Sequence, residues 1–136
     1  MKNWKLFYSF QCPLGATDSK IGITGHPAVR LGVYQNGYSR NSHIACFDKV
    51  YVGDAKEIGF LEKAAKNQFH WDIQRDGRGV SEWIGNTTTT SVEKMVDELI
   101  ESYHFKIQKV SRKFLPLTVD NLLEFLEYYK LDKNTK

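Results

Sequence analysis

The apolar residues are spaced as in strands in some segments and as in helices in others, and this alternation predicts a mixed α+β fold. Three apolar or β-branched runs predict strands at Trp4–Phe10, Lys20–Thr24 and Ile44–Val52. A turn containing Pro13 and Gly15 separates the first two runs, which predicts an antiparallel hairpin. Shorter extended pieces are expected later in the chain, at Ser81–Ile84 and Phe105–Val110.

Helical periodicity predicts four helices between and after these strands. Pro27 suits the first turn of a helix that ends near Gln35. Two more helices start at residue pairs with capping-box spacing, and the last helix begins near Thr118. The capping-box pairs are Asp54 with Glu57 and Thr90 with Glu93.

The predicted fold is α+β, with a small, central, mainly antiparallel three-stranded sheet flanked by helices and a C-terminal strand and helix extension. A length of 136 residues corresponds to one ordinary domain. We divide it into a domain over residues 1–103 and an extension over residues 104–136. The last helix has an apolar stripe, so we expect it to pack on the same domain, on a second copy or on a protein partner. That stripe consists of Leu122, Phe125, Leu126 and Tyr129.

Composition and charge narrow the classes of function without choosing one. Charged residues are 26% of the chain, which is typical of a globular protein rather than a disordered one. The net charge of +3 is too small to prove a polyanionic partner, although residues 1–80 carry 11 Lys and Arg against 7 Asp and Glu. Two cysteines cannot form a disulfide framework, and no apolar run is long enough for a membrane span. We therefore expect a cytoplasmic protein with no membrane partner.

Four side chains could meet in a site for phosphodiester chemistry. The hairpin would bring Tyr8 close to Lys20, and one helical turn from Pro27 directs Arg30 toward the end of the second strand. Glu62 flanks the apolar face of its helix, which places its carboxylate near the sheet. A carboxylate for a hard cation and an arginine for a phosphate suit this chemistry. Each residue also has an ordinary structural interpretation, as a strand aromatic, a strand-end charge, a helix-surface charge or a salt-bridge partner.

The motifs around these residues resemble the GIY-YIG nuclease superfamily. Leu6–Phe10, followed after a short turn by Lys20–Thr24, is similar to the branch whose second motif reads Lys-Ile-Gly-x-Thr. Pro27–Leu31 fits the Pro-x-x-Arg-Leu of that branch, which occurs in phage and bacterial proteins. Leu61–Glu62 resembles the helix that presents the glutamate of the family, and Ser81–Ile84 resembles its Glu-Trp-Phe signature. The resemblance covers about residues 4–102.

The resemblance implies a DNA endonuclease that hydrolyses phosphodiester bonds with one Mg²⁺ or Mn²⁺ ion. Tyr8 would be the general base for the attacking water, helped by Lys20. Arg30 would stabilise the pentavalent phosphate, and Glu62 would hold the metal. Tyr34 would orient the reactants or relay a proton. The alternative is a catalytically inactive DNA-binding or protein-interaction module on the same scaffold.

A basic segment near the C-terminus is a second candidate for contact with DNA. It carries four positive charges and no acid between residues 106 and 113, so it could follow DNA phosphates. An edge strand with a solvated face explains the same charges equally well. Arg40, in the loop after the first helix, is a further candidate. The basic residues of the segment are Lys106, Lys109, Arg112 and Lys113.

Overall fold

The computed structural model describes residues 3–11, 18–35, 46–69, 73–75 and 82–132, and the side chains at 33–35, 73–75 and 82–83 are not part of that description. These residues form an α+β fold with eight strands and four α-helices. The strands are β1 (Trp4–Gln11), β2 (Asp18–Thr24), β3 (Cys46–Phe47), β4 (Lys49–Asp54), β5 (Ile73–Arg75), β6 (Glu82–Gly85), β7 (Gln108–Lys109) and β8 (Leu117–Thr118). The helices are α1 (Pro27–Gln35), α2 (Ala55–Phe69), α3 (Thr89–Tyr103) and α4 (Leu122–Tyr128).

The main sheet of the described residues has six strands in the order β5-β6-β2-β1-β4-β7, and each neighbouring pair is antiparallel. The three strands expected from the sequence form its middle, as β2, β1 and β4. The predicted sheet of three strands is therefore too small, because short strands extend the observed sheet at both edges. A separate two-stranded sheet joins β3 to β8.

Neighbouring residues of β1 point to opposite faces of the sheet and belong to two separate apolar clusters. Tyr8 lies in one cluster and Phe7 in the other. We call these the Tyr8 face and the Phe7 face. The cross-strand register assigns Val50 and Gly22 to the Tyr8 face and Tyr51 to the Phe7 face.

The Tyr8 face is covered mainly by the C-terminal part of the chain. Phe114 and Phe125 are buried in its cluster and pack edge to face. Leu31 of α1 and Phe47 of β3 complete the cover. Trp4 of β1 donates a hydrogen bond from its indole nitrogen to the backbone oxygen of Asp132, which ties the two ends of the described chain together. Of the predicted α4 stripe, Leu122 and Phe125 are buried in this cluster, and Leu126 and Tyr129 pack against it.

The Phe7 face is covered by α2 and α3. The buried residues of α2 lie one turn apart, which is why its apolar side faces the sheet. Val92 and Val96 of α3 join the same cluster. The buried residues of α2 are Ile58, Leu61 and Ala65.

Several predicted boundaries are wrong, each for a local reason. The run at Ile44–Val52 is divided at Asp48, since Cys46 and Phe47 pair with β8 while the residues after Asp48 pair with β1. The strand at Ile73–Arg75 is not among the elements that the sequence pattern predicted. The last helix begins at Leu122, because Thr118 pairs with Cys46 in β8.

The expected capping boxes are also only partly formed. Asp54 does accept a hydrogen bond from the backbone N–H of Lys56, but Glu57 accepts from the backbone N–H of Lys106 instead of closing the box. In α3 the cap is Thr88, whose hydroxyl accepts from the N–H of Ser91. Four consecutive threonines, at positions 87 to 90, span the start of that helix, and each has the same capping group.

None of the helices in the described ranges combines the length and the apolar character that a membrane crossing requires.

Candidate functional site

Tyr8 lies across a glycine on the neighbouring strand. The register pairs Tyr8 with Gly22, and a Cβ atom added at Gly22 would come within 2.4 Å of the Tyr8 hydroxyl oxygen. The phenol therefore uses the space that the missing side chain leaves. The same register pairs Phe10 with Lys20, which is the next pair on the Tyr8 face after Tyr8 and Gly22. Lys20 is 9% exposed.

Arg30 of α1 joins Tyr8 directly. Its Nη1 donates a hydrogen bond to the Tyr8 hydroxyl oxygen at 2.9 Å. The geometry follows from the short link between β2 and α1: the N–H of His26 donates to the hydroxyl of Thr24, and the N–H of Arg30 donates to the carbonyl of His26. The helix thus starts right at the end of β2, with Arg30 one turn inside it. The expected proximity of the hairpin and Arg30 is present in the structure.

Glu62 lies on α2, and the apolar residues of that helix pack on the Phe7 face, whereas Arg30 and Tyr8 meet on the Tyr8 face. Its carboxylate is half-buried and forms an ion pair with Lys66 at 3.6 Å. The two helices that carry Arg30 and Glu62 therefore pack on opposite faces of the sheet, so the described structure does not bring Glu62 onto the surface that Tyr8 and Arg30 share. The two side chains can meet only around an edge of the sheet.

One edge of β2 is only partly paired in the described ranges. The described β6 pairs with β2 only at Asp18 and Ser19, which leaves the rest of that side of β2 without a paired strand in the described ranges. The α2 helix starts directly after β4 and contacts β4, β1 and β2. Glu57 is on the flank that faces Lys106, and Glu62, five residues later, is rotated about 140° from it. Glu62 is consequently on the flank of α2 that faces away from the segment after α3.

The donor set for a metal is small. Within the described ranges there is no group of three or more His, Cys, Asp or Glu side chains that could hold an ion. A single carboxylate at Glu62 still fits Mg²⁺ in kind, because Mg²⁺ in proteins commonly keeps several waters and binds one or two carboxylates together with substrate phosphates.

Two other predicted site residues cannot be placed. Tyr34 belongs to α1, but its side chain lies outside the described part of the structure. Arg40 falls outside the described residues altogether.

The four basic residues of the segment differ in their contacts within the protein. Lys109 bonds to Asp97 at 2.9 Å and to Glu93 at 2.9 Å, both on α3. These carboxylates raise the pKa of Lys109, mainly through the hydrogen bond from its ammonium to Asp97. The Lys109 ammonium is therefore engaged within the protein, and its contact with DNA stays a prediction. Lys106, Arg112 and Lys113 are exposed.

The same carboxylates hold a buried phenol on the Phe7 face. Tyr51 donates from its hydroxyl to Asp97 at 2.7 Å. Burial, followed by the hydrogen bond to Asp97 and the charges of Asp97 and Glu93, raises the pKa of Tyr51 well above its ordinary value. This network has a structural role, because it joins β4, α3 and β7.

Sequence reasoning did not identify Gly22 or Phe47 as parts of the site. Phe47 stacks on the Tyr8 ring with the centroids 4.1 Å apart and the planes 13° apart. A glycine inside an apolar strand run is the signal that could have pointed to Gly22. Nothing in the sequence pairs Phe47 with Tyr8.

Comparison with known proteins gives no relative: no protein-family model matches the chain, and no curated protein or solved structure matches it.

Proposed function

We propose that this chain is a DNA endonuclease that hydrolyses phosphodiester bonds with one Mg²⁺ or Mn²⁺ ion. The observation that carries the proposal is the hydrogen bond between Arg30 and Tyr8 above Gly22, at the end of β2. It joins residues from three of the five segments that resemble the GIY-YIG superfamily.

We assign each side chain a role in this chemistry. Arg30 is partly exposed, and its guanidinium suits a phosphate oxygen in the ground state and the transition state. Lys20, on the same face, supplies a second positive charge near the attacking water. Glu62 would hold the metal ion from the flank of α2, around the open edge of β2. When bound there, Mg²⁺ supplies positive charge to the phosphate and to the leaving 3′ oxygen.

A specific observation also favours a second candidate, a DNA-binding module that does not cleave. Tyr8 is 0% exposed, and a general base must reach the water that attacks the phosphate. Glu62 also has a lysine partner within the protein. We rank this candidate second, because Arg30 and Glu62 are both present.

Nicking of supercoiled plasmid separates the two candidates. We expect wild type to nick in Mg²⁺ or Mn²⁺ and not in EDTA. We expect Glu62→Gln to lose about 100-fold or more of the rate, because several kcal/mol of charge stabilisation depend on the metal. DNA affinity should stay the same or rise, since a negative charge is lost beside the phosphate.

Glu57→Gln is the matched control, because it makes the same change on the opposite flank of α2 and keeps an acceptor for Lys106. It should nick like wild type. If wild type binds DNA without metal-dependent nicking, and Glu62→Gln behaves in the same way, the endonuclease proposal is wrong and the binding module remains.

A further inference from the structure

The Tyr8 phenol is enclosed on every side that the structure describes. Gly22 lies under its hydroxyl end, and Phe47 stacks on its ring at a centroid distance of 4.1 Å. Phe10 is parallel to it, with the centroids 6.1 Å apart. The whole residue is 0% exposed. Because packed aromatic rings have little freedom to change rotamer, the position of the hydroxyl is fixed.

The hydroxyl of Tyr8 contacts Arg30, which is closer to solvent. Arg30 Nη1 is the donor and the phenol oxygen is the acceptor, at 2.9 Å. Arg30 is partly exposed, whereas Tyr8 is not. A guanidinium is planar, so a hydrogen bond at one terminal nitrogen restricts the plane in which its other donors lie.

From this geometry we infer that Tyr8 is a positioning residue, which fixes the Arg30 guanidinium for a DNA phosphate and does not take the proton of the attacking water, which passes to bulk water instead. The inference rests on the proposed function for the identity of the phosphate, and it changes the role that the family resemblance implies for this tyrosine. Tyr8 acts through Arg30. Gly22 is required because any side chain there would occupy the place of the phenol.

A double-mutant cycle between Tyr8 and Arg30 tests the inference. The variants are Tyr8→Phe, Arg30→Gln and the double variant, and the readouts are affinity for a DNA duplex in EDTA and the nicking rate in Mg²⁺ from pH 6 to 9. We expect Tyr8→Phe to weaken DNA affinity by about tenfold, the order expected for a hydrogen bond to a charged group. In the Arg30→Gln background the same change should have less than about a twofold effect, since coupled residues are not additive.

A base would behave differently in each readout. If Tyr8→Phe leaves affinity unchanged, removes the rise of the nicking rate with pH, and multiplies with Arg30→Gln, Tyr8 is the base and the inference is overturned. Tyr51→Phe is the matched control: it removes a buried phenol from the Phe7 face and should leave DNA affinity unchanged.

Nitrogen NMR of the Arg30 guanidinium keeps the test independent of nicking. We expect slow rotation of this group in wild type and fast rotation in Tyr8→Phe, with the resonance assigned from its loss in Arg30→Gln. If wild type does not nick, the endonuclease proposal fails while affinity and NMR still decide the role of Tyr8. If rotation is equally fast in both proteins, or if wild type does not bind DNA, the inference is wrong.

Discussion

The two faces of the sheet differ in where their cover comes from along the chain. On the Phe7 face, α2 follows β4 directly and α3 follows β6 within a few residues. On the Tyr8 face, much of the cover comes from residues 110–131, far from β1 in sequence. The candidate chemistry lies on the face with the distant cover. The site and the C-terminal extension therefore share one core, and damage to the extension should reach the site.

Truncation after Tyr103 should have the largest effect, because it removes much of the cover of the Tyr8 face and leaves α2 and α3 on the Phe7 face. It removes Phe114 and Phe125, together with the other apolar side chains that cover the Tyr8 face. Burial of each large side chain contributes about 1.5–3 kcal/mol, so the sum is comparable with the whole stability of a small domain. We expect the truncated chain to lose its cooperative thermal unfolding transition in calorimetry. An unchanged melting temperature would show that residues 4–103 fold without the extension.

Two single substitutions on α4 test, with a smaller change, whether stability depends on the cover of the Tyr8 face. Phe125 is fully buried in the Tyr8 cluster, and Phe125→Ala should cost about 3–5 kcal/mol in urea unfolding. Leu123, on the same helix, is 74% exposed, and Leu123→Ala should change stability by no more than about 0.5 kcal/mol. Equal effects of the two changes would contradict the assignment of Phe125 to the core.

Alkaline unfolding compares one group from each face. Burial, then the charge of Asp48, raises the pKa of the Cys46 thiol to about 11, and the pKa of Tyr51 is raised as well. A raised folded pKa means that the unfolded chain loses its proton first. The stabilisation is thus complete below the unfolded pKa and is lost as the pH rises through the folded one. For Cys46 that window is about pH 9–11, and for Tyr51 it begins near pH 10.

Two variants measure these contributions. Cys46→Ala should reduce the loss of stability between pH 9 and 11. Tyr51→Phe should cost about 1–2 kcal/mol at pH 7, because Asp97 loses a donor, and should reduce the loss above pH 10. Urea unfolding at pH 7, 9, 10 and 11 gives both. If both variants retain the full alkaline slope of wild type, other groups cause it.

The sequence allowed much of the Phe7 face and part of the Tyr8 face to be predicted. Helical spacing of Ile58, Leu61 and Ala65 was enough to place α2, because an amphipathic helix has one way to cover a sheet. The hairpin and the proximity of Arg30 to it also followed from local patterns. Local patterns describe contacts between residues that are close in sequence. The helix α2 and the hairpin with Arg30 both depend on such contacts.

The parts that could not be predicted depend on distant pairing. The separation of β3 from β4 follows from pairing of Cys46 with Thr118, some seventy residues away, and no periodicity encodes it. The stacking of Phe47 on Tyr8, and with it the burial of the expected base, is a consequence of that pairing. Thr118, where the last helix was expected to begin, instead donates its N–H to the Asn121 side chain in the turn before α4.

The smallest expected effect concerns the segment in which the chain passes from one face to the other. Lys109 bonds to α3 of the Phe7 face, whereas Arg112 and Lys113 are exposed on the cover of the Tyr8 face. The Lys113 ammonium lies 4.1 Å from the ring centre of Tyr128, at the surface.

If this cover contacts DNA, Arg112→Gln with Lys113→Gln should weaken binding a few-fold and reduce the slope of log affinity against log salt by about 2. Lys109→Gln should leave the slope unchanged and cost at most about 1 kcal/mol of stability, as expected for an exposed ion pair. Salt titrations of duplex binding for the three proteins decide it, and a reduced slope for Lys109→Gln alone would mean that its ammonium leaves α3 to bind phosphate.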